Sequence, residues 1–164
     1  METFLGMAGT DWALLGAGTA AVLGGIGSAI GITTASGTVS GVLSEDDTKF
    51  GQLLPIAAMP GTQGIYGFIA AVLVVVFFNL LGGEVDTLSG TAGFQVFLAC
   101  QPVAWLCLMT AIYQGRTGAS SAGIVAAGKS APALVFPALV ETYAILALIV
   151  TILMLLGLQA AYAG

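Results

Sequence analysis

The chain has 164 residues and a formal net charge of −5 at pH 7; 58% of its residues are hydrophobic and only 7% are charged. Soluble domains usually carry about a quarter charged residues, so too few polar groups remain here to cover a water-facing surface. Together with a mean hydropathy of +1.05, this composition excludes an ordinary soluble domain and predicts an integral membrane protein.

The sequence lacks residues that several functional classes require. The sequence has no histidine, so zinc, haem and histidine-based acid–base chemistry lack their usual side chain. No basic patch is present, and we expect no nucleic-acid partner. The start METFLGMAGTDW has no basic region, so we do not expect a cleaved secretory signal. Cys100 and Cys107 lie too far apart on one helix for a disulfide, and we interpret them as apolar packing residues.

Four long apolar segments organise the chain. We predict an N-terminal segment at 1–10, a first helical hairpin at 11–81, an external loop at 82–88 and a second helical hairpin at 89–160. The predicted helices run from about 11–43, 50–81, 89–128 and 132–160. Each exceeds the roughly 20 residues needed to span hydrocarbon. The fold class is therefore an all-α membrane protein with four transmembrane helices in two tandem hairpins.

The predicted helices are of two kinds. The first contains GAGTAAVLGGIGSAIG and the third contains GASSAGIVAAG, both rich in small residues that let helices approach closely in lipid. The second and fourth contain bulky runs, FIAAVLVVVFFNLL and TYAILALIVTILMLLG. The pattern predicts tightly packed inner helices and an outer layer that faces lipid or a larger apolar partner.

The alternation of the segments is an internal repeat. The stretch at 27–31 aligns with 113–117, and the stretch at 60–69 aligns with 140–149. Two hairpins in parallel orientation therefore make up the chain. In this register Gly61 falls opposite Glu141, and Ser28 falls opposite Gln114, so only the second hairpin has the carboxylate.

The basic residues predict the orientation. Lys49, Arg116 and Lys129 cluster toward the two connections within the hairpins, whereas acidic residues such as Glu84 lie on the opposite side. The positive-inside rule places the hairpin loops in the cytoplasm and both termini outside a cell membrane that the chain crosses several times.

Glu141 lies in the otherwise apolar run LVETYAILALIV, where a carboxylate is expensive unless it is paired or neutralised. Thr62 and Gln63 begin another apolar segment at the matching depth, and Tyr66 follows on the same helix face. Gln114 belongs to the third segment. One carboxylate with several neutral oxygens suits a hard monovalent cation, because the charge is cancelled and the dipoles replace hydration. Tyr66 has a different use, since its phenol can hold the carboxylate in place.

Two prolines lie near these groups. Pro60 lacks an N–H and breaks the helix ladder near Ile56, which frees backbone carbonyls to act as ligands. Pro137 disturbs the fourth helix four residues before Glu141. The alternative interpretations are tolerated membrane-helix kinks and a protonated, purely structural glutamate that is hydrogen-bonded to a neighbouring helix.

The motifs PGTQGIYG and LVETYAIL, separated by a hairpin, closely resemble the proteolipid (K, or c) subunit of V-type rotary ATPases. The sodium-translocating bacterial type is especially similar, and the resemblance covers about residues 15–158. It implies that Na+ is bound by Glu141, Gln63, Gln114, Thr62 and the backbone carbonyl of Met59. It also implies that Tyr66 orients the carboxylate. Met59 and YQGR replace the more common leucine and AQGK.

The resemblance implies a ring of identical subunits that turns in the lipid membrane against a stator subunit and is joined to a central-stalk subunit. Na+ would be the transported ion, with no organic cofactor. The chain lacks a G-x-x-x-x-G-K-[ST] loop, so we expect a non-catalytic subunit. Three alternatives stay open: the same rotor carrying protons, which leaves Gln63 and Gln114 unexplained; a passive oligomeric pore; and a small secondary transporter, for which substrate-sized polar groups are missing.

Overall fold

The computed structural model describes residues 3–82, 88–129 and 132–162. Its α-helices are α1 (Gly9–Glu45), α2 (Phe50–Ala58), α3 (Thr62–Phe77), α4 (Gly90–Ala126) and α5 (Val135–Tyr162). In these residues the β-type pairing is limited to one isolated bridge between Phe4 and Met7. The all-α prediction is confirmed.

Four spans in the described part of the chain are long and apolar enough to cross a membrane: Gly9–Glu45, Asp47–Phe77, Gly90–Ala126 and Val135–Tyr162. The longest two have 37 residues each, which at 1.5 Å per residue is about 55 Å of helix. Because the hydrocarbon core is about 30 Å thick, these helices extend beyond it. The chain is a multi-pass membrane protein.

The second span differs from the single helix predicted at 50–81. A 3-10 turn, Met59–Gly61, separates α2 from α3. Pro60 lies in this turn and cannot donate a backbone hydrogen bond, which explains the interruption. The helix also ends four residues early, at Phe77, and Asn79 then takes a positive φ of 49°. The interruption creates a new helix N-terminus, with Thr62 and Gln63 in its first turn, inside the membrane span.

The inner helices α1 and α4 run parallel and nearly touch along their length. Gly9 lies against Gly93 near their N-termini, and Gly31 lies against Gly115 further along. A Cβ atom on Gly115 would collide with the backbone of Gly31, so this approach requires glycine. In their most apolar stretches α1 and α4 are 39% and 44% buried, against 28% and 22% in the other two spans. The small-residue segments are therefore the most closely packed ones.

Each outer helix runs antiparallel to the inner helix that precedes it, so the two hairpins have the same orientation. The contacts that define these directions are Gly24 with Gln63, Ala20 with Gly67, Gln114 with Glu141 and Val103 with Thr151. The outer helix α5 keeps large apolar side chains exposed, among them Leu139, Leu146 and Leu153. This surface suits lipid or an apolar neighbour.

The connection between α1 and α2 lies beside the C-terminus of α4. Lys49 Nζ donates to the Ala126 carbonyl oxygen at 3.0 Å and pairs with Asp46 at 3.3 Å. A cation at a helix C-terminus satisfies a free carbonyl and opposes the helix dipole. The two connections within the hairpins thus lie at the same end. Most of the predicted external loop 82–88 lies outside the described residues, as do 130–131.

Candidate ion-binding site

Three helices and the 3-10 turn bring the predicted site residues together around Glu141. Glu141 is in the second turn of α5, and Thr62 and Gln63 form the first turn of α3. Tyr66 lies one turn later on α3, and Gln114 comes from α4. The side chains of Gln63 and Gln114 are fully buried, and that of Glu141 is partly buried.

The Glu141 carboxylate accepts four hydrogen bonds. Its Oε2 atom accepts from Thr62 Oγ1 at 2.9 Å, from Gln63 Nε2 at 3.1 Å and from Gln114 Nε2 at 2.7 Å. Its Oε1 atom accepts from Tyr66 OH at 2.6 Å. The two carboxylate oxygens are thus used differently: one collects three donors, and the other is held by the phenol alone.

The side chains around the carboxylate also bond to one another. Gln63 Nε2 donates to Gln114 Oε1 at 2.7 Å. Thr62 Oγ1 lies 3.2 Å from Gln63 Oε1, an alternative acceptor to Glu141 for its single hydroxyl proton. Thr62 Oγ1 also lies 2.9 Å from the Met59 carbonyl oxygen, in a donating geometry. That carbonyl belongs to the 3-10 turn and points toward the first turn of α3. A network of this kind fixes its members because each one restrains the next.

Two participants were not predicted from the sequence. Gln114 Nε2 donates to the Pro137 carbonyl oxygen at 3.0 Å, so the proline residue anchors the amide through its backbone. Ser28 Oγ accepts from the Gly64 backbone N–H at 2.7 Å, next to Gln63. A backbone carbonyl that accepts a hydrogen bond cannot be recognised from the type of its residue. Ser28 had a signal, because the internal repeat aligns it with Gln114.

Hydrogen bonds, and not a cationic side chain, hold the carboxylate. In the described part of the chain the one ion pair is that of Lys49 with Asp46. Multivalent metals are commonly bound by clusters of histidine, cysteine, aspartate or glutamate. The described residues contain no cluster of three or more such side chains. Around Glu141 lie uncharged groups that each carry an oxygen: the Thr62 hydroxyl, the Met59 carbonyl and the Gln63 and Gln114 amides, whose nitrogens face the carboxylate in this conformation. This donor set fits a monovalent cation better than a transition metal.

The fold and this site define a polytopic helical membrane protein with two hairpins and one carboxylate inside its span. The sequence profile of the ATP synthase C-subunit family matches the chain twice, at 15–74 and at 97–154, once in each hairpin. The chain belongs to this family. The predicted resemblance to the rotor proteolipids of V- and A-type ATPases is confirmed.

Two relatives are similar over most of the chain. The A-type ATP synthase subunit K of Methanocaldococcus jannaschii is 41% identical over 154 residues, which cover 92% of this chain and 64% of that protein. The V-type sodium ATPase subunit K of Enterococcus hirae is 35% identical over 151 residues, which cover 91% of this chain and 93% of that protein. This chain therefore spans less than two thirds of the archaeal relative.

Proposed function

We propose that the chain is an ion-carrying rotor subunit of a V/A-type ATPase and that it binds Na+ at Glu141. The observation that carries the proposal is the convergence of Thr62, Gln63, Gln114 and Tyr66 on one carboxylate inside a membrane span. The bacterial relative named as a sodium ATPase subunit K supports the choice of ion.

The donor set matches the chemistry of Na+. Glu141 supplies the single negative charge, so a bound monovalent cation leaves the site neutral. The neutral ligands are the Thr62 hydroxyl, the Met59 carbonyl and the amide oxygens of Gln63 and Gln114. In the described conformation both amides point their nitrogens at Glu141. Cation binding exchanges the two ends of each amide by rotation about its last torsion, so that oxygens face the ion.

Neutralisation is what makes transport possible. A bare carboxylate facing hydrocarbon is costly, whereas an ion-occupied site can pass lipid as the rotor turns. The ion enters by one half-channel at the stator subunit, and a stator cation displaces it into the other. Moving one charge against 100 mV costs about 2.3 kcal/mol, which ATP hydrolysis on a separate soluble head supplies. This chain is the non-catalytic carrier.

The proposed assembly is a ring of identical subunits. The family membership and the apolar outer surface of α5 support it. Its other partners are a stator membrane subunit, a central-stalk subunit and membrane lipids. The hairpin connections face the cytoplasm, where the stalk attaches, because the three basic residues lie toward that end. Each four-helix chain carries one carboxylate, so a ring transports one ion per chain in each turn.

Equilibrium binding of radioactive sodium to the purified ring tests this function. We expect saturable binding of one ion per chain, weaker binding as the pH falls because protons compete, and no binding by Glu141→Gln. Absence of sodium binding at alkaline pH would overturn the sodium assignment and leave Glu141 as a proton carrier. Ion conductance of the ring without any ATPase partner would instead identify a passive pore.

A further inference from the structure

We infer that Ser28 is a positioning residue for the ion site and acts through the backbone of α3; this inference rests on the proposed function. Ser28 belongs to α1, its side chain is 7% exposed, and its Oγ atom accepts the Gly64 N–H at 2.7 Å. Gly64 directly follows Gln63. Ser28 therefore holds the turn that carries two proposed ligands without touching the ion.

The first turn of α3 takes a side-chain acceptor from another helix, in addition to the Met59 carbonyl of the preceding 3-10 turn, which accepts the Thr62 N–H. A helix begins with N–H groups that lack intrahelical partners, and a Ser, Thr, Asp or Asn side chain at the N-cap usually accepts from the second or third of them. The N-cap of α3 is Gly61, which has no side chain, and α3 has no side-chain capping bond of its own. Gly64 is the third residue of the helix. Ser28 supplies the capping oxygen from a different helix.

The same turn is seated tightly against α1. A Cβ atom on Gly24 would lie 2.7 Å from the Gln63 carbonyl oxygen. A Cβ atom on Gly64 would lie 3.1 Å from Ser28 Oγ and 3.3 Å from Ser28 Cβ. Backbone contact at Gly24 and the hydrogen bond to Ser28 thus fix one turn at two points. Binding sites need their ligands held within about 0.5 Å of the productive geometry. A small shift of this turn would therefore disturb the arrangement of the proposed ligands around Glu141.

The internal repeat gives Ser28 a counterpart. In the sequence register it aligns with Gln114, which contacts Glu141 directly. The inner helix of each hairpin therefore contributes one polar side chain at the equivalent position. On α4 the side chain reaches the carboxylate itself, and on α1 it holds the backbone beside Gln63.

The test compares Ser28→Ala with Thr33→Ala in purified rings that have assembled normally. The Thr33 hydroxyl is exposed and bonds the Ala29 and Ile30 carbonyls of its own helix, so this control removes a hydroxyl from α1 without affecting α3. We expect Ser28→Ala to raise the half-saturating sodium concentration about threefold to tenfold, as for one lost hydrogen bond. Saturating binding should stay at one ion per chain. Ser28→Cys, with a weaker acceptor, should fall between Ser28→Ala and the parent ring.

Hydrogen–deuterium exchange gives a readout that does not depend on the ion. In sodium-free rings, backbone exchange over residues 62–66 should be faster in Ser28→Ala than in Thr33→Ala. Equal sodium affinities in the two variants, with sodium binding intact in the parent ring, would overturn the positioning role. If the parent ring binds no sodium, the proposed function fails. In that case unchanged exchange in Ser28→Ala refutes the role of Ser28, and faster exchange supports it.

Discussion

Gln114→Ala probes one of the two fully buried side-chain ligands proposed for the ion. The Gln114 side chain is fully buried and makes three hydrogen bonds: to Glu141 at 2.7 Å, to the Pro137 carbonyl at 3.0 Å and from Gln63 at 2.7 Å. Alanine removes all three and leaves the Gln63 amide short of one acceptor. Leaving a buried polar partner unsatisfied costs about 1–3 kcal/mol.

The assay is protection of Glu141 from a hydrophobic carbodiimide, which modifies membrane carboxyls when they are protonated. Sodium bound as proposed would keep the carboxylate ionised and occupied, so we expect sodium to slow the modification in a saturable way. The energetic loss above corresponds to a rise of about tenfold to hundredfold in the sodium concentration that gives half protection. Potassium should protect much less, and lower pH should weaken the protection because protons compete for the same oxygen.

Gln101→Ala is the matched control on the same helix. Gln101 bonds to the Phe97 carbonyl and to Trp105, both on α4, and does not contact the site. We expect its half-protecting sodium concentration to equal that of the parent ring. An unchanged value in Gln114→Ala, with normal modification in the absence of sodium, would refute Gln114 as a ligand.

Three further predictions concern the carrier, the orientation and the packing. Glu141→Gln should abolish ion-coupled transport while the ring still assembles; normal pumping in reconstituted vesicles would contradict the carrier role. Cysteine at Asp47 should react with an impermeant thiol reagent from the cytoplasmic side, and cysteine at Leu81 from the outside. Cys100 and Cys107 are buried and give little background, and the inverse pattern would reverse the proposed orientation. Gly115→Val should prevent stable folding by forcing α1 and α4 apart at Gly31, as measured by ring yield in detergent; a normal yield would mean that the helices can separate there.

The helices and the site residues were predictable because their signals lie in residue identity. A glutamate in an apolar run, a Pro-Gly followed by Thr-Gln, and stretches of small residues each have few physical explanations in a membrane. The same residues identified the family. The end of α3 at Phe77 had a signal that the prediction missed: Asn79 interrupts the apolar run before Leu81, and asparagine readily takes the left-handed conformation just past a helix end.

The contacts made by the backbone also could not be predicted from the sequence. Nothing in the residue type of Pro137 indicates that its carbonyl accepts from Gln114, and a serine in a small-residue helix is typical of close packing alone. The interruption at Pro60 was expected, but its result was not. It creates a helix N-terminus inside the span, and Ser28 of α1 accepts the Gly64 N–H in the first turn of that helix.

The unequal use of the two Glu141 oxygens suggests how one site can both hold and release its ion. Three donors meet at Oε2, and each of them comes from a side chain that also has an oxygen to offer a cation. Tyr66 alone donates to Oε1, and we expect this hydrogen bond to persist when an ion binds on the Oε2 side. The carboxylate can therefore exchange a cation for hydrogen bonds at Oε2 while Oε1 stays anchored. If the site binds an ion as proposed, we expect release to involve a local rotation of Gln63, Gln114 and Thr62 without movement of α5.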